Sequence, residues 1–303
     1  MARMNQLKTL FLLALLGGLI VLAGYLLVGD ETGLLYGLGF ATLTGFGSWY
    51  NSDRAALAAF KAAPSSPEDN PALAERIQKL SDRAGVPNPK LYIVPSKSLN
   101  AFATGRDPNH AAIALTEGII DLLPADELDA VVAHELTHVR NRDTLTQAVA
   151  GTLASSLTYV GRILTFGALY FPVARVGKRG NSPLAILFLL LIGPFSAGLL
   201  RMAISRTREY AADAGAAEIT GDPLALIRAL EKLEASGQEN PIHGNPAYAA
   251  MFIVNPLSKK GLMSLFMTHP PTEDRIERLK ALADKADDFK VTSKGSEILG
   301  SAA

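Results

Sequence analysis

The chain has 303 residues, with 29 basic and 29 acidic side chains and a formal net charge of zero. That balance leaves no electrostatic footprint for a nucleic acid, so no nucleic-acid partner is expected. Hydrophobic residues make up 49% and cysteine is absent, which excludes disulfides and thiolate ligands; a metal here has to be held by His, Asp or Glu.

The hydrophobic material is clustered. Leu10 to Val28 is an uncharged run preceded by Lys8, and Gly33 to Trp49 is a second one, joined to the first by the turn Gly29-Asp30-Glu31-Thr32. A membrane span needs about 20 apolar residues, within a range of about 17 to 25, so the two runs predict a transmembrane hairpin over residues 1–50. A cleaved signal peptide is the rival reading of the first run. The second run follows at once, with no clean polar gap after a small-residue site, and that argues against cleavage. Arg3 and Lys8 precede the first span, Arg54 and Lys61 follow the second, and the turn between them holds only Asp30 and Glu31. The positive-inside rule then puts both ends of the hairpin, and the chain beyond Trp49, in the cytoplasm.

After the hairpin, Pro64-Ser65-Ser66-Pro67 reads as a linker. Leu73, Ile77 and Leu80 have helical spacing, predicting a helix over Pro71 to Ala84 that stops at Gly85. Lys90 to Pro95, Ala101 to Thr104 and Ala111 to Leu115 read as strands, the last two joined by a turn at Pro108 and Asn109. A further helix begins near Pro124, with Asp126 and Glu127 in its first turn, where the helix dipole favours acidic groups. Two more apolar stretches follow, Leu145 to Val173 and Ser182 to Leu200, separated by Arg175, Lys178 and Arg179. A full crossing would export that basic loop against the positive-inside rule, so crossing and shallow insertion both stay open. The polar blocks 51–143 and 201–303 are expected to build one catalytic domain around this second hydrophobic hairpin, 144–200.

The chemistry is concentrated in Val131-Val132-Ala133-His134-Glu135-Leu136-Thr137-His138-Val139. Two histidines four residues apart on a helix share one face, one turn apart, and can grip a single metal ion. Glu135 then lies beside the metal's open position, placed to take a proton from a water there. Zinc suits two imidazoles and acidifies its water to a pKa of about 7. The competing reading is a pair of core histidines that happen to share a face.

A catalytic zinc also needs a third protein ligand. A third histidine six residues after His138 is excluded, because that position is Thr144 and Asn141 stands where a glycine is expected. The best carboxylate is Glu209, in Ser205-Arg206-Thr207-Arg208-Glu209-Tyr210-Ala211-Ala212-Asp213. It sits just past the last apolar stretch as His138 sits just before the preceding one. Asp213, one turn on, is placed to accept a hydrogen bond from the other nitrogen of a ligating histidine. Spacing alone leaves an ordinary solvated helix face equally open, with Glu218 as a competing carboxylate.

With these motifs the chain resembles the HtpX family of membrane-embedded zinc metallopeptidases, which are related to the CAAX prenyl proteases. The resemblance runs through the N-terminal hairpin, Asn100-Ala101-Phe102-Ala103-Thr104-Gly105, the histidine motif, Ser205 to Asp213, and His269-Pro270-Pro271 with Arg275. It implies a mainly α fold with a small β-sheet, in which a multi-span membrane anchor carries a gluzincin-like zinc metallopeptidase domain. It implies one Zn2+ per chain, held by His134, His138 and Glu209, with Glu135 as the general base. It makes Asn100, Ala101, Phe102 and Ala103 an edge along which an extended substrate adds as a strand. His269 becomes a candidate catalytic donor to the oxyanion, with Arg275 orienting it, against the plainer reading of His269 as a turn histidine capping the C-terminal helix. His110 and His243 have no such partners and are taken as structural or surface residues. The resemblance further implies a multi-pass protein of bacterial inner-membrane type, with a cytoplasmic catalytic domain, acting on damaged or misfolded membrane proteins. Oligomeric state is left open. Processing of prenylated C-termini goes with longer chains and more spans. A scaffold keeping zinc for structure alone would close the site with a fourth ligand and leave Glu135 without a task.

Overall fold

The structure, a computed structural model, describes residues 30–149, 206–237 and 270–285, with Ile253 and scattered positions before residue 30. The fold is mainly helical with one small sheet. The first expected span, Leu10 to Val28, is described only at isolated positions, and most of 144–200 lies outside the described residues, as does His243. The second apolar run forms helix α1, Glu31–Tyr50, whose first turn is capped by Asp30 accepting from the Thr32 amide at 2.9 Å. Among the described residues no helix, α1 included, is long and apolar enough to cross a membrane. Five glycines between residues 33 and 47 dilute the apolar content of α1.

Helix α2, Ser52–Ala59, leads to a two-residue strand β1, Ala63–Pro64. The expected linker is therefore partly sheet: Ala63 pairs with Ile93, Pro64 with Tyr92, and the Ser65 amide donates to the Leu91 carbonyl at 2.9 Å. Proline, which cannot donate to a ladder, is tolerated there because β1 is an outer strand. Helix α3, Pro71–Ala84, has proline in its first turn and buries Leu73, Ile77, Leu80 and Ala84, the face that the spacing predicts. Gly85, at φ 68°, ends it in the left-handed region.

Strands β2, Lys90–Val94, β3, Ala101–Thr104, and β4, Ala112–Thr116, complete a sheet of order β1-β2-β4-β3. The last strand is shifted by one residue from the sequence expectation. β2 runs parallel to β4 and β3 antiparallel to it, with Phe102 opposite Ala114. The β3–β4 connection contains a short 3-10 turn, Pro108–His110, capped by Asp107. His110 serves that turn, with Nδ1 2.9 Å from the Asp107 carboxylate. β3 is the outer strand of the sheet, yet all four of its residues are buried. Ala101 and Ala103 face the main core, and Phe102 meets the Phe60 ring at 5.1 Å between centroids on the other face.

Thr116 caps the short helix α4, Glu117–Leu122. The central element is α5, Ala125–Asn141, in which every residue from Val131 to Val139 is buried. It packs against α3, β3, α6 (Arg206–Thr220) and α7 (Pro223–Gly237). Gly215 lets α6 approach closely, since a Cβ there would lie 2.5 Å from the Thr137 side chain. On α7, Lys232 places its ammonium 2.8 Å from both oxygens of the buried Glu127 carboxylate on α5. The core thus draws apolar side chains from both polar blocks of the sequence, Leu128 and Leu136 belonging to the same cluster as Leu226 and Leu230.

Candidate active site

Helix α5 supplies three of the groups that meet at the centre. His134 and His138, one turn apart, bring their Nε2 atoms to 3.2 Å, with the rings nearly perpendicular at 87°. Helix α6 crosses this face and lowers Glu209 onto it, Oε2 standing 3.8 Å from His134 Nε2 and Oε1 3.6 Å from His138 Nε2. All three side chains are buried, and one ligand atom of each lies within 4.8 Å of the others. Glu218, the competing carboxylate, is 70% exposed and pairs with Arg140 at 3.2 Å on the outside of α6.

The outer nitrogens of both rings meet carboxylates. His134 Nδ1 is 3.0 Å from Asp213 Oδ1, and His138 Nδ1 is 3.0 Å from Asp143 Oδ2. The His138 contact is a hydrogen bond and the His134 contact is close but not aligned as one; a carboxylate on the Nδ1 side favours the N–H there and leaves each Nε2 facing inward. Two lone pairs at 3.2 Å beside a carboxylate repel one another unless a cation or proton joins them. Two nitrogens each about 2.0–2.1 Å from one tetrahedral zinc stand about 3.3 Å apart, so the observed spacing fits chelation. The two Glu209 oxygens lie slightly farther out.

Charge makes the same demand. Glu135, Asp143, Glu209 and Asp213 are buried carboxylates, and Arg208 and Arg275 are buried guanidiniums. With all six ionised, four negative charges face two positive ones, leaving a deficit that one divalent cation closes. Without it the site relies on protons. Burial pushes the Glu135 carboxyl up to about 8, with the Glu209 charge adding to the effect against the pull of His138. For His138 burial acts downwards, but the Asp143 hydrogen bond and the Glu209 charge outweigh it and hold the imidazolium to about 9. Burial lowers His134, against the pull of the Asp213 carboxylate.

The Glu135 carboxylate reaches the sheet, where its Oε2 accepts from the Ala103 amide at 2.8 Å. Antiparallel pairing alternates, so with Phe102 and Thr104 bonded to β4 the main-chain groups of Ala101 and Ala103 point outward. The glutamate is therefore tied to the outward side of β3. A cavity of about 200 Å³ opens beside the same strand at Asn100 and Phe102.

Arg275 lies in a helical segment, 272–285. It is buried and directed at Asp213, with Nε 2.9 Å from Oδ2 and Nη2 2.6 Å from Oδ1, while Nη1 donates to the Ile253 carbonyl at 2.8 Å. These contacts place it behind His134; His269, which the sequence reading has Arg275 orienting, falls outside the described residues. Asp143 was not foreseen. It lies past the end of α5, after Arg142 at φ 59°, so helical periodicity does not relate it to His138. An aspartate just beyond a helix-ending residue was the one available signal.

A sequence model of peptidase family M48 matches residues 67–283. A protease HtpX homolog of Nostoc punctiforme is 48% identical over 278 residues, covering 92% of this chain and 96% of that protein. One from Thermococcus sibiricus is 42% identical over 283 residues, covering 92% and 96%. The crystal structure of S. mikatae Ste24p superposes with a TM-score of 0.49 at 19% identity, covering 91% of this chain; the chain spans 65% of that one's length.

The shifted groups set a pH signature for the metal-free protein. His138 binds its proton more tightly folded than unfolded, so its stabilising contribution is complete below about 6.5 and is lost as pH rises to about 9. Glu135 acts in the same direction between 4.5 and about 8. His134, shifted downwards, opposes them only below 6.5. The melting temperature of chelator-treated protein should therefore fall between pH 6.5 and 9, and loading with zinc should remove most of that fall. A metal-free melting temperature that is flat or rising across this window would contradict the assigned proton positions.

Proposed function

We propose that this chain, which belongs to peptidase family M48 and to its HtpX group, is an integral membrane zinc-dependent endopeptidase acting in the removal of damaged or misfolded membrane proteins. It is a metallopeptidase by family. The observation that carries the finer reading is the buried convergence of His134, His138 and Glu209, with Glu135 beside them and tied to an outer strand.

His134, His138 and Glu209 would hold one zinc ion per chain through two imidazole nitrogens and a carboxylate. A zinc ion in such a site supplies Lewis acidity, polarising a peptide carbonyl and acidifying water at neutral pH. Glu135 acts as general base and then returns the proton to the leaving amine. An extended peptide lies along Asn100 to Ala103, pairing with the outward main-chain groups of Ala101 and the Ala103 carbonyl while the Ala103 amide stays with Glu135, and so passes beside Glu135. Such pairing gives affinity with little demand on sequence. Asp213 fixes the His134 tautomer, and Arg275 holds Asp213 in place. His269 remains a candidate donor to the oxyanion on the basis of the family resemblance.

The membrane reading is supported by α1, along which Leu35, Leu38, Phe40, Leu43 and Phe46 are all more than half exposed. Such a contiguous apolar surface is unusual on a protein bathed only in water. The basic residues flanking residues 1–50 set the orientation, with the catalytic domain, built from 51–143 and 201–303, on the cytoplasmic side of an inner membrane.

Glu135→Gln should retain one zinc per chain while proteolysis of an unfolded substrate falls by about 10²- to 10⁴-fold or more, the usual contribution of a general acid–base group. Glu209→Ala should lose most of the zinc, and Glu218→Ala should keep both zinc and activity. An active Glu135→Gln enzyme, or a site emptied by Glu218→Ala and filled in Glu209→Ala, would sink the assignment. For orientation, reporters fused after residues 60 and 303 should read as cytosolic, and one inserted at Asp30-Glu31 should read as external. An external C-terminal reporter would reverse the topology.

A further inference from the structure

We propose that Asp143 and Arg208 form a second positioning relay, behind His138, that matches the Asp213–Arg275 relay behind His134. The inference rests on the reading of His134, His138 and Glu209 as metal ligands, and assigns a task to two buried charges that this reading leaves unused.

Asp143 is fully buried and its Oδ2 meets His138 Nδ1 at 3.0 Å. A buried carboxylate is costly unless a charge compensates it. Arg208 supplies that charge: it is 4% exposed, and its Nη1 lies 3.6 Å from Asp143 Oδ1. Its location is economical. Arg208 immediately precedes Glu209 on α6, so one helix delivers both a carboxylate to the metal face and a guanidinium to the carboxylate behind His138. The route to Asp143 is equally specific, since the left-handed Arg142 ends α5 and turns the next side chain back toward the ring.

The two relays are not equivalent. Arg275 makes two hydrogen bonds to Asp213 and a third to a carbonyl, which fixes that carboxylate from both sides. No guanidinium nitrogen of Arg208 makes a hydrogen bond among the described residues, so its hold on Asp143 is purely ionic. The Arg208 charge reaches the site by two routes, through Asp143 and directly through the field it shares with Glu209, and only the first is lost in a variant lacking the Asp143 carboxylate.

The test is a double-mutant cycle on zinc affinity, measured on the full-length protein in detergent by competition with a chromogenic chelator. Asp143→Ala is expected to weaken zinc binding by about 10- to 100-fold, the range found when the partner of a ligating histidine is lost. Asp143→Asn, which keeps an acceptor for the Nδ1 proton but not the charge that Arg208 answers, should recover only part of that loss. A packing role would be restored in full by this isosteric amide, and the melting temperatures of the metal-free variants provide the check. Arg208→Met should cost more zinc affinity in the parent than in Asp143→Ala, because the direct effect on Glu209 is common to both backgrounds and only the difference runs through the Asp143 carboxylate. Should Arg208→Met fail to fold, Arg208→Lys, which retains the charge, should bind zinc within a few-fold of the parent, and a loss as large as that of Asp143→Ala would overturn the relay. Equal losses from Arg208→Met with and without Asp143, or parent-like affinity in both single variants, would also overturn it. If the parent itself binds no stoichiometric zinc, the ligand assignment fails first, and the two failures are thereby told apart.

Discussion

The constraint on which the rest depends is the packing of more negative than positive charge into one buried volume. Two imidazoles turn their lone pairs toward each other at 3.2 Å, with the Glu209 carboxylate beside them. Such an arrangement is unfavourable in a low-dielectric interior unless a cation or protons settle among the groups. The surrounding architecture holds those groups where they would otherwise separate. A fully buried helix carries the histidines, a close crossing at Gly215 brings in the glutamate, and two carboxylates pin the outer ring nitrogens. Stability and metal affinity are in this sense one property, as expected where ligands must be deprotonated before they bind.

Much of the centre was legible because it follows helical periodicity. His134 and His138 share a face by their spacing of four, as do Glu209 and Asp213 on the second helix, and both pairs end up at the same place. The helix over Pro71–Ala84 carries its own start and stop signals, proline in the first turn and Gly85 after the last. Asp143 and Arg208 were not legible. Asp143 depends on a left-handed residue that breaks the periodic relation to His138, and Arg208 looks like any basic residue on a surface helix until α6 docks. The partner of Arg275 was missed for a related reason, because its distance in sequence from Asp213 says nothing about their bidentate pairing. The short strand at Ala63–Pro64 was hidden by proline and serine, residues that read as linker and are compatible with the outer position of a sheet.

The sheet has a double role. β3 is the outer strand in the ladder and at the same time the donor of the Ala103 amide to Glu135. The group proposed to move the proton and the strand proposed to bind the peptide are thus in direct contact, so the position of one sets the position of the other. Burial of β3 between the core and Phe60 keeps this contact away from water, which strengthens its electrostatics.

The identity of the metal's ligands decides between a catalytic and a closed site. X-ray absorption at the zinc edge, on full-length protein loaded with one equivalent of zinc, reads this without reference to activity. The expected result is two imidazole nitrogens at about 2.0–2.1 Å and carboxylate oxygen at about 2.0–2.2 Å, with a position left for a light non-protein ligand. A shell with a single imidazole, or one closed by four protein ligands, would contradict the central claim.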